Sequence, residues 1–336
     1  MRWFGAVQSQ DPVGAKWALG QRARGATEAE IDRLIDDGAI LRTHVMRPTW
    51  HFVLPEDIRW LLDLTSTRVI RGLAGRYRQL AIEERDVARV AGVLESALSG
   101  GRHLTRSEIG EALRRSRIAP DGQRLPHFLM RAELDGLIVS GPRRGNDHTY
   151  ALLEERAPRA RTLERADAIA ELARRYFRSH GPAAVPDFAW WSGLTIADAR
   201  AGIALAVATL EREVIAGVDH WSDDAGTIPG STDVAHLLPN FDEYTVGYHH
   251  RADLIDPRRP FDPSIFAFGS ILANVVTVGG RVRGAWRRTI GPGRALRVEI
   301  RLFGRPTRPQ KDAIERAAVR MAPFSDRSLV LEWAST

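Results

Sequence analysis

Between residues 85 and 158 the apolar positions change period partway along. Val87, Val90, Ala91, Leu94 and Leu98 recur three and four apart, which is the spacing of one helical face. Gly100-Gly101 closes that run. Thr105, with Glu108 three residues on, predicts a reciprocally capped helix start, continued by Ile109, Ala112 and Leu113. A third helix is predicted from Leu125 to about Asp135, with Phe128, Leu129, Ala132 and Leu134 inward. The period then shortens. Leu137-Ile138-Val139-Ser140 and His148-Thr149-Tyr150-Ala151-Leu152 read as two strands around a basic, glycine-rich turn at 141–147. Three helices followed by a hairpin form the pattern of a winged helix-turn-helix unit.

The same order recurs twice more. Upstream, Thr27 caps a helix carrying Ile31, Leu34 and Ile35, and Gly38 stops it. Ile40 to Met46, a turn at Arg47-Pro48 and Thr49 to Val53 then make a hairpin. Asp37-Gly38-Ala39-Ile40 parallels Asp135-Gly136-Leu137-Ile138, each placing a glycine between a helix and a strand. Downstream, Ile169, Leu172, Ala173, Tyr176 and Phe177 form a first helix, Val185 to Trp191 starts a second, and Thr195 caps a third running to about Glu211. Val214 to Val218 reads as the following strand. A polar, turn-rich stretch spans Asp223 to Asp233. Beyond it strand-like runs dominate (Ala235–Leu238, Ala273–Val278, Val282–Trp286, Leu296–Phe303), with one late helix marked by Ile314, Ala317, Ala318 and Met321.

The expected fold is therefore α+β: tandem winged helix-turn-helix units followed by a C-terminal β-barrel-like domain. The expected division is residues 1–60, a helical connector at 61–84, second and third units at 85–158 and 159–222, and a β-rich domain at 235–336. Trp3, Phe4 and Val7 read as part of the first unit's second helix. On that expectation the opening helix of the first unit is missing and the reading frame starts late.

Composition narrows the function. No apolar run reaches the length of a membrane span, and no basic-then-apolar leader opens the chain. Cysteine is absent, which excludes disulfides, thiolate zinc sites and iron–sulfur clusters, and fits a cytoplasmic location. Net charge is +6, carried almost entirely by arginine, because Lys16 and Lys311 are the only lysines. A positive surface permits nucleic-acid binding, but an arginine-rich, high-GC composition explains the charge equally well. His249-His250 would point apart on a strand and lack a second pair at ligand spacing, so neither a metal nor a cofactor is expected.

The candidate chemistry lies at the N-terminus, where Gln8 and Gln10 stand two apart in Gly5-Ala6-Val7-Gln8-Ser9-Gln10, just before Asp11-Pro12. With this stretch, Leu41 to Val53, Leu237-Leu238-Pro239-Asn240-Phe241-Asp242-Glu243-Tyr244 and Val278 to Trp286, nearly the whole chain resembles the bacterial AlkZ-like and YcaQ-like winged-helix DNA glycosylases. The resemblance implies removal of alkylated purines, unhooking of interstrand crosslinks, and three winged-helix units in a C-shaped arc closed by a β-barrel. It also implies a catalytic motif, Gln-Φ-Gln in the AlkZ-like branch and Gln-Φ-Asp in the YcaQ-like branch, Φ being aliphatic or aromatic. Gln8 and Gln10 match the first branch; Ser9 departs at the middle position.

Amides suit such chemistry. A purine alkylated at N7 or N3 already carries positive charge and leaves as a neutral base, so no acid need protonate it. What remains is to place a water and to stabilise charge on the sugar. A glutamine oxygen accepts a hydrogen bond from water and its amide donates two. One positioned hydrogen bond contributes about 2.7–4 kcal/mol in a preorganised site. The plain structural alternative has both glutamines hydrogen-bonding a helix end.

Alternation along a strand puts Thr49 and His51 on one face, expected to be exposed towards DNA with Arg47, while Trp50 and Phe52 turn inward. Arg143 and Arg144 in the wing suit phosphate or minor-groove contact, or form an ordinary solvated turn. Asp242 and Tyr244 read as a structural anchor. The expected partner is double-stranded DNA, alkylated or crosslinked, bound by a monomer without membrane association. The rival reading is a non-enzymatic winged-helix regulator, though such proteins usually dimerise on palindromes. A hydrolase or transferase site in the β domain is the third reading, and no nucleophile-elbow, phosphate-loop or zinc-protease motif supports it.

Overall fold

The computed structural model describes residues 1–223, 234–258, 261–267 and 269–334. Most of the expected turn-rich stretch at 223–233 lies outside the described residues. Two compact units emerge, one of Met1–Val7 and Arg33–Asp223, the other of Gln8–Asp32 and Asp224–Thr336.

The chain opens in a turn, with the N–H groups of Phe4 and Gly5 donating to the Met1 carbonyl at 3.0 Å. Strand β1 (Ala6–Gln8) follows, every residue buried. The helix expected through Trp3, Phe4 and Val7 is thus corrected. Gly5, at φ +79°, turns the chain into an extended segment too short and too buried to show an alternating pattern. Helix α1 (Pro12–Arg22) starts at Asp11, whose carboxylate accepts the Gly14 N–H at 3.0 Å, with Pro12 pre-set for the first turn. Helix α2 (Glu28–Asp36) begins with Thr27 and Glu30 exchanging backbone N–H bonds at 2.8 and 3.2 Å. Strands β2 (Leu41–Val45) and β3 (Arg47–Val53) form the predicted hairpin, in the sheet order β1-β3-β2. Its turn sits at Met46, φ +65°, so Arg47 and Pro48 belong to β3 rather than to the turn. Helix α3 (Ile58–Gln79) then buries Trp60, Leu61, Leu62 and Leu64.

The middle segment follows its pattern closely. Helix α4 (Glu84–Leu98), strand β4 (Leu104–Thr105), helix α5 (Arg106–Arg115), helix α6 (Arg124–Leu134), and strands β5 (Ile138–Ser140) and β6 (Thr149–Leu152) appear in order, the strands paired β4-β6-β5. Thr105 and Glu108 cap α5 reciprocally. One core gathers Val90, Leu94, Leu98, Ile109, Leu113, Phe128 and Leu129. His44 Nδ1 of β2 hydrogen-bonds the Glu133 carboxyl of α6, both side chains buried, so the hairpin is joined to this segment by a side-chain hydrogen bond as well as by packing.

Helix α7 (Leu153–Arg156) leads to α8 (Arg165–His180), α9 (Val185–Ser192) and α10 (Ile196–Ala206), packed around Tyr176, Phe177, Phe188 and Trp191. Thr195 caps α10 through the Asp198 N–H at 3.0 Å. The helix ends at Ala206 instead of near Glu211, because Glu211 already belongs to a strand. Val214 to Val218 is likewise not one strand. It straddles β7 (Glu211–Ile215) and β8 (Val218–Ser222), with the turn at Ala216-Gly217, both at positive φ.

In the second unit, strand β9 (Ala235–Leu238), helix α11 (Glu243–Val246), strands β10 (Val275–Val278), β11 (Arg281–Ile290) and β12 (Leu296–Leu302), helices α12 (Arg308–Val319) and α13 (Met321–Ser325) and strand β13 (Leu329–Trp333) build one sheet. Its order is β13-β12-β11-β10-β9, antiparallel except for the parallel β12–β13 pair. The barrel-like expectation is corrected here: β9 and β13 stand at opposite edges, and the described strands form no closed barrel. Helix α12 buries Ala313, Ile314, Ala317 and Ala318 and packs on β9. Among the described residues no helix is long and apolar enough to cross a membrane.

Candidate active site

Gln8 ends β1, and Gln10 lies in the bend before α1. The motif therefore sits on a strand-to-helix junction instead of on a helix. Burial differs sharply across it: Gln8 is 7% exposed, Ser9 is fully buried, and Gln10 is exposed. The Gln8 N–H donates to Glu243 Oε1 at 2.7 Å. Three residues on, Asp11 accepts the Asn240 Nδ2–H at 3.0 Å while its other oxygen caps α1. The four-residue stretch from Gln8 to Asp11 is thus held at both ends by the 240–243 turn.

Helix α1 is fixed against the same turn and against strand β9 before it. The Trp17 indole donates to the Leu237 carbonyl at 2.8 Å. A Cβ at Gly14 would stand 3.1 Å from Pro239 Cβ, so the helix and the turn approach closely. Arg22 donates to both Asp242 oxygens, at 2.8 and 2.7 Å. Burial pulls the Arg22 pKa down, but the adjacent Asp242 charge, its hydrogen bonds and Glu243 outweigh that and raise it.

The turn itself is rigidly built. Phe241 adopts φ +58° and donates its N–H to the Leu272 carbonyl at 2.8 Å. Asp242 accepts the Tyr244 N–H at 2.9 Å, and the Tyr244 hydroxyl donates to the Gly280 carbonyl at 2.8 Å. Burial pushes the Tyr244 phenol up, and burial followed by the charges of Arg22 and Arg320 pushes nearby His236 down.

A family model for AlkZ-like DNA glycosylases matches residues 1–324. The chain belongs to the AlkZ-like DNA glycosylase family. It is accordingly a DNA glycosylase, a DNA-binding repair enzyme. The Streptomyces sahachiroi DNA glycosylase AlkZ shares its fold, with a TM-score of 0.77 and 21% identity over 99% of this chain and 92% of that one. No curated protein sequence matches the chain significantly.

In this AlkZ-like glycosylase the remaining candidates lie in the first unit. Arg47, Thr49 and His51 share β3, where His51 stands opposite Thr43 of β2. The expected exposed pair is corrected: His51 is 1% exposed, its Nδ1 hydrogen-bonded to the Thr49 carbonyl at 3.0 Å, whereas Trp50 is only half-buried. From His51 to Val53 both faces of the strand are buried, while Arg47, Thr49 and Trp50 are half-buried and Pro48 is exposed, so alternation did not separate inside from outside. Trp50 lies between the Arg42 guanidinium, 4.4 Å from its ring centroid, and the His44 ring at 4.2 Å. The Arg47 guanidinium lies 5.7 Å from the Trp190 ring centroid.

Of the two arginines in the β5–β6 turn, Arg143 clasps Asp36 through Nε and Nη2 at 3.1 and 2.9 Å. Those hydrogen bonds hold the Asp36 carboxyl below its usual range despite partial burial. Arg144 pairs with Glu108 at 2.6 Å and keeps about half of its side chain exposed (49%). On the surface of the same unit, an open cleft of about 680 Å³ is lined by Arg2, Arg161, Arg174, Arg175 and Arg178 together with Glu56 and Glu171. Behind it the buried Asp57 receives Arg175 and Arg161 at 2.5 and 2.6 Å. Among the described residues no group of three or more His, Asp or Glu is placed to hold a metal. His249 and His250 meet edge to face and are exposed.

Sequence reasoning missed Glu243. The sequence carried a signal for its burial, two adjacent acidic residues after the largely apolar Leu237-Leu238-Pro239-Asn240-Phe241, but none for its partner Gln8.

Proposed function

We propose that this glycosylase hydrolyses the N-glycosidic bond of N7- and N3-alkylated purines in duplex DNA, and that it unhooks interstrand crosslinks of the same chemistry. Gln8 and Gln10 place the attacking water and support charge developing on the sugar, without forming a covalent intermediate with DNA. The observation that carries this reading is the anchoring of the motif: the Gln8 N–H is tied to Glu243 and Asp11 to Asn240, with the intervening Ser9 fully buried. Preorganisation of this kind is what lets neutral amides act on an already activated leaving group.

In this reading residues 85–158 and 159–222 are winged-helix units. The order helix, short strand, two helices and hairpin in the first of them supports that assignment. Residues 1–60 supply the first hairpin of the series, 61–84 a helical connector, and 235–336 the β-rich domain. Arg144 contacts the DNA backbone, Arg47, Thr49 and His51 support the DNA-facing hairpin, and Arg143 holds the wing. Asp242 and Tyr244 anchor the turn beside the motif. The protein acts in the cytoplasm as a monomer on one duplex, where its net positive charge favours phosphate contact.

The test is incubation with duplexes bearing N7-methylguanine, N3-methyladenine or a crosslink, scored for abasic sites. Base release by the wild type that disappears in Gln8→Ala and Gln10→Ala supports the assignment. Tight, salt-sensitive binding without release from any of the three contradicts it.

A further inference from the structure

We infer that Glu243 is a positioning residue for the glutamine motif, acting through the backbone of Gln8 and not as a charge. The inference rests on the catalytic reading of Gln8 and Gln10.

Glu243 is 2% exposed, and its Oε1 accepts the N–H of Gln8 from 235 residues away in the chain. A buried backbone N–H without an acceptor is costly, so this contact fixes where the Gln8 peptide lies. Glu243 is itself held. It follows Asp242, whose carboxylate is clasped by Arg22 and caps the short helix that Glu243 begins. The residue before that, Phe241, is fixed in a positive-φ conformation by its bond to Leu272. The Glu243 end of the link is therefore set by other contacts.

The site at which this link acts decides its role. The Gln8 peptide N–H fixes the point from which the Gln8 side chain leaves the main chain, and the start of the Ser9-Gln10 bend. A displacement of about 1 Å at reacting groups can cost about 100-fold in rate. Asn240 constrains the far end of the same stretch through Asp11. The 240–243 turn thus serves as a template on which the catalytic loop is laid.

The test separates reach from charge. Glu243→Gln keeps an oxygen at the same distance and loses the charge. Glu243→Asp keeps the charge but is one methylene too short to reach the Gln8 N–H. The readouts are single-turnover base release from an N7-methylguanine duplex at saturating enzyme, the Kd for that duplex, and hydrogen exchange of the Gln8 amide. We expect Glu243→Gln to release base within about 5-fold of the wild type, and Glu243→Asp about 10–100-fold more slowly, at a Kd unchanged within about 2-fold. The Gln8 amide should exchange faster in the Asp variant alone. A wild-type rate in Glu243→Asp, equal losses in both variants, or a loss confined to Kd would overturn the inference. Gln8→Ala and Gln10→Ala run in parallel. If neither slows release, or the wild type releases nothing, the glutamine reading fails on its own, and amide exchange still decides whether Glu243 is the anchor.

Discussion

Arg22 and Asp242 join the end of helix α1 to the turn at residues 239–246 through two hydrogen bonds of 2.8 and 2.7 Å, with the Asp242 side chain wholly buried and the Arg22 side chain 30% exposed. The pair is asymmetric in its access to water. Removing Arg22 strands a buried carboxylate, whereas neutralising Asp242 leaves a guanidinium that can still reach solvent. Arg22→Met is therefore expected to cost about 3–5 kcal/mol, and Asp242→Asn less, because the amide keeps an acceptor for the Tyr244 N–H. Urea unfolding of both variants checks the order. Equal losses would mean that the pair is not buried as described.

Gly193 ends α9 at φ +71°, and a Cβ there would lie 2.2 Å from the Met46 carbonyl oxygen. Neither the backbone conformation nor the space suits an L side chain. Gly193→Ala should cost at least about 1–2 kcal/mol from the left-handed conformation alone, with more from displacing the hairpin turn. Thermal denaturation reads it directly, and a neutral substitution would refute the close approach.

Acid should find Asp57. Its burial favours the neutral acid, but hydrogen bonds from Arg175, the charge of Arg175, and the donors of Trp60 and Arg161 together hold its pKa below the usual 3.8. A carboxylate depressed in the folded state stabilises fully above the unfolded value and loses that contribution as pH falls through the folded one. The stability gap between the wild type and Asp57→Asn should therefore be constant near neutrality and shrink as pH drops below about 3.8. Melting temperatures across an acid series measure it; a gap that does not close would show that the charge is not what Asp57 contributes.

Much of the fold was legible in the sequence because local rules agreed with it. Thr105 and Glu108 make the reciprocal cap that their spacing predicts, and Gly38 and Gly136 both take positive φ at helix ends. The failures have physical causes. Ala6–Gln8 is a buried three-residue strand, and three residues show no period. His51 looked exposed from alternation, which fails when a strand is covered on both faces. Open sheet and closed barrel share one strand pattern, since closure depends on which edges meet, and β13 joins its sheet through a parallel pairing that no hairpin turn announces. At the candidate site, the two glutamines are proposed from the motif in the sequence. Glu243, 235 residues from Gln8, could not be, because nothing local records that contact.

The turn between β5 and β6 makes its own prediction. Arg144 is half exposed and paired with partly exposed Glu108, a contact it can exchange for a phosphate. Arg144→Ala should weaken binding uniformly across duplex sequences and reduce the slope of log K against log salt by about 1. An unchanged slope would remove Arg144 from the DNA contact.

The most direct test of the account is single-turnover release of N7-methylguanine from duplex DNA by the wild type, Gln8→Ala and Gln10→Ala, at enzyme concentrations that saturate binding. Losing one preorganised hydrogen bond in such a site is expected to slow release about 10²–10³-fold, with duplex affinity preserved in each variant. Release at the wild-type rate by both variants would contradict the assignment of catalysis to this motif.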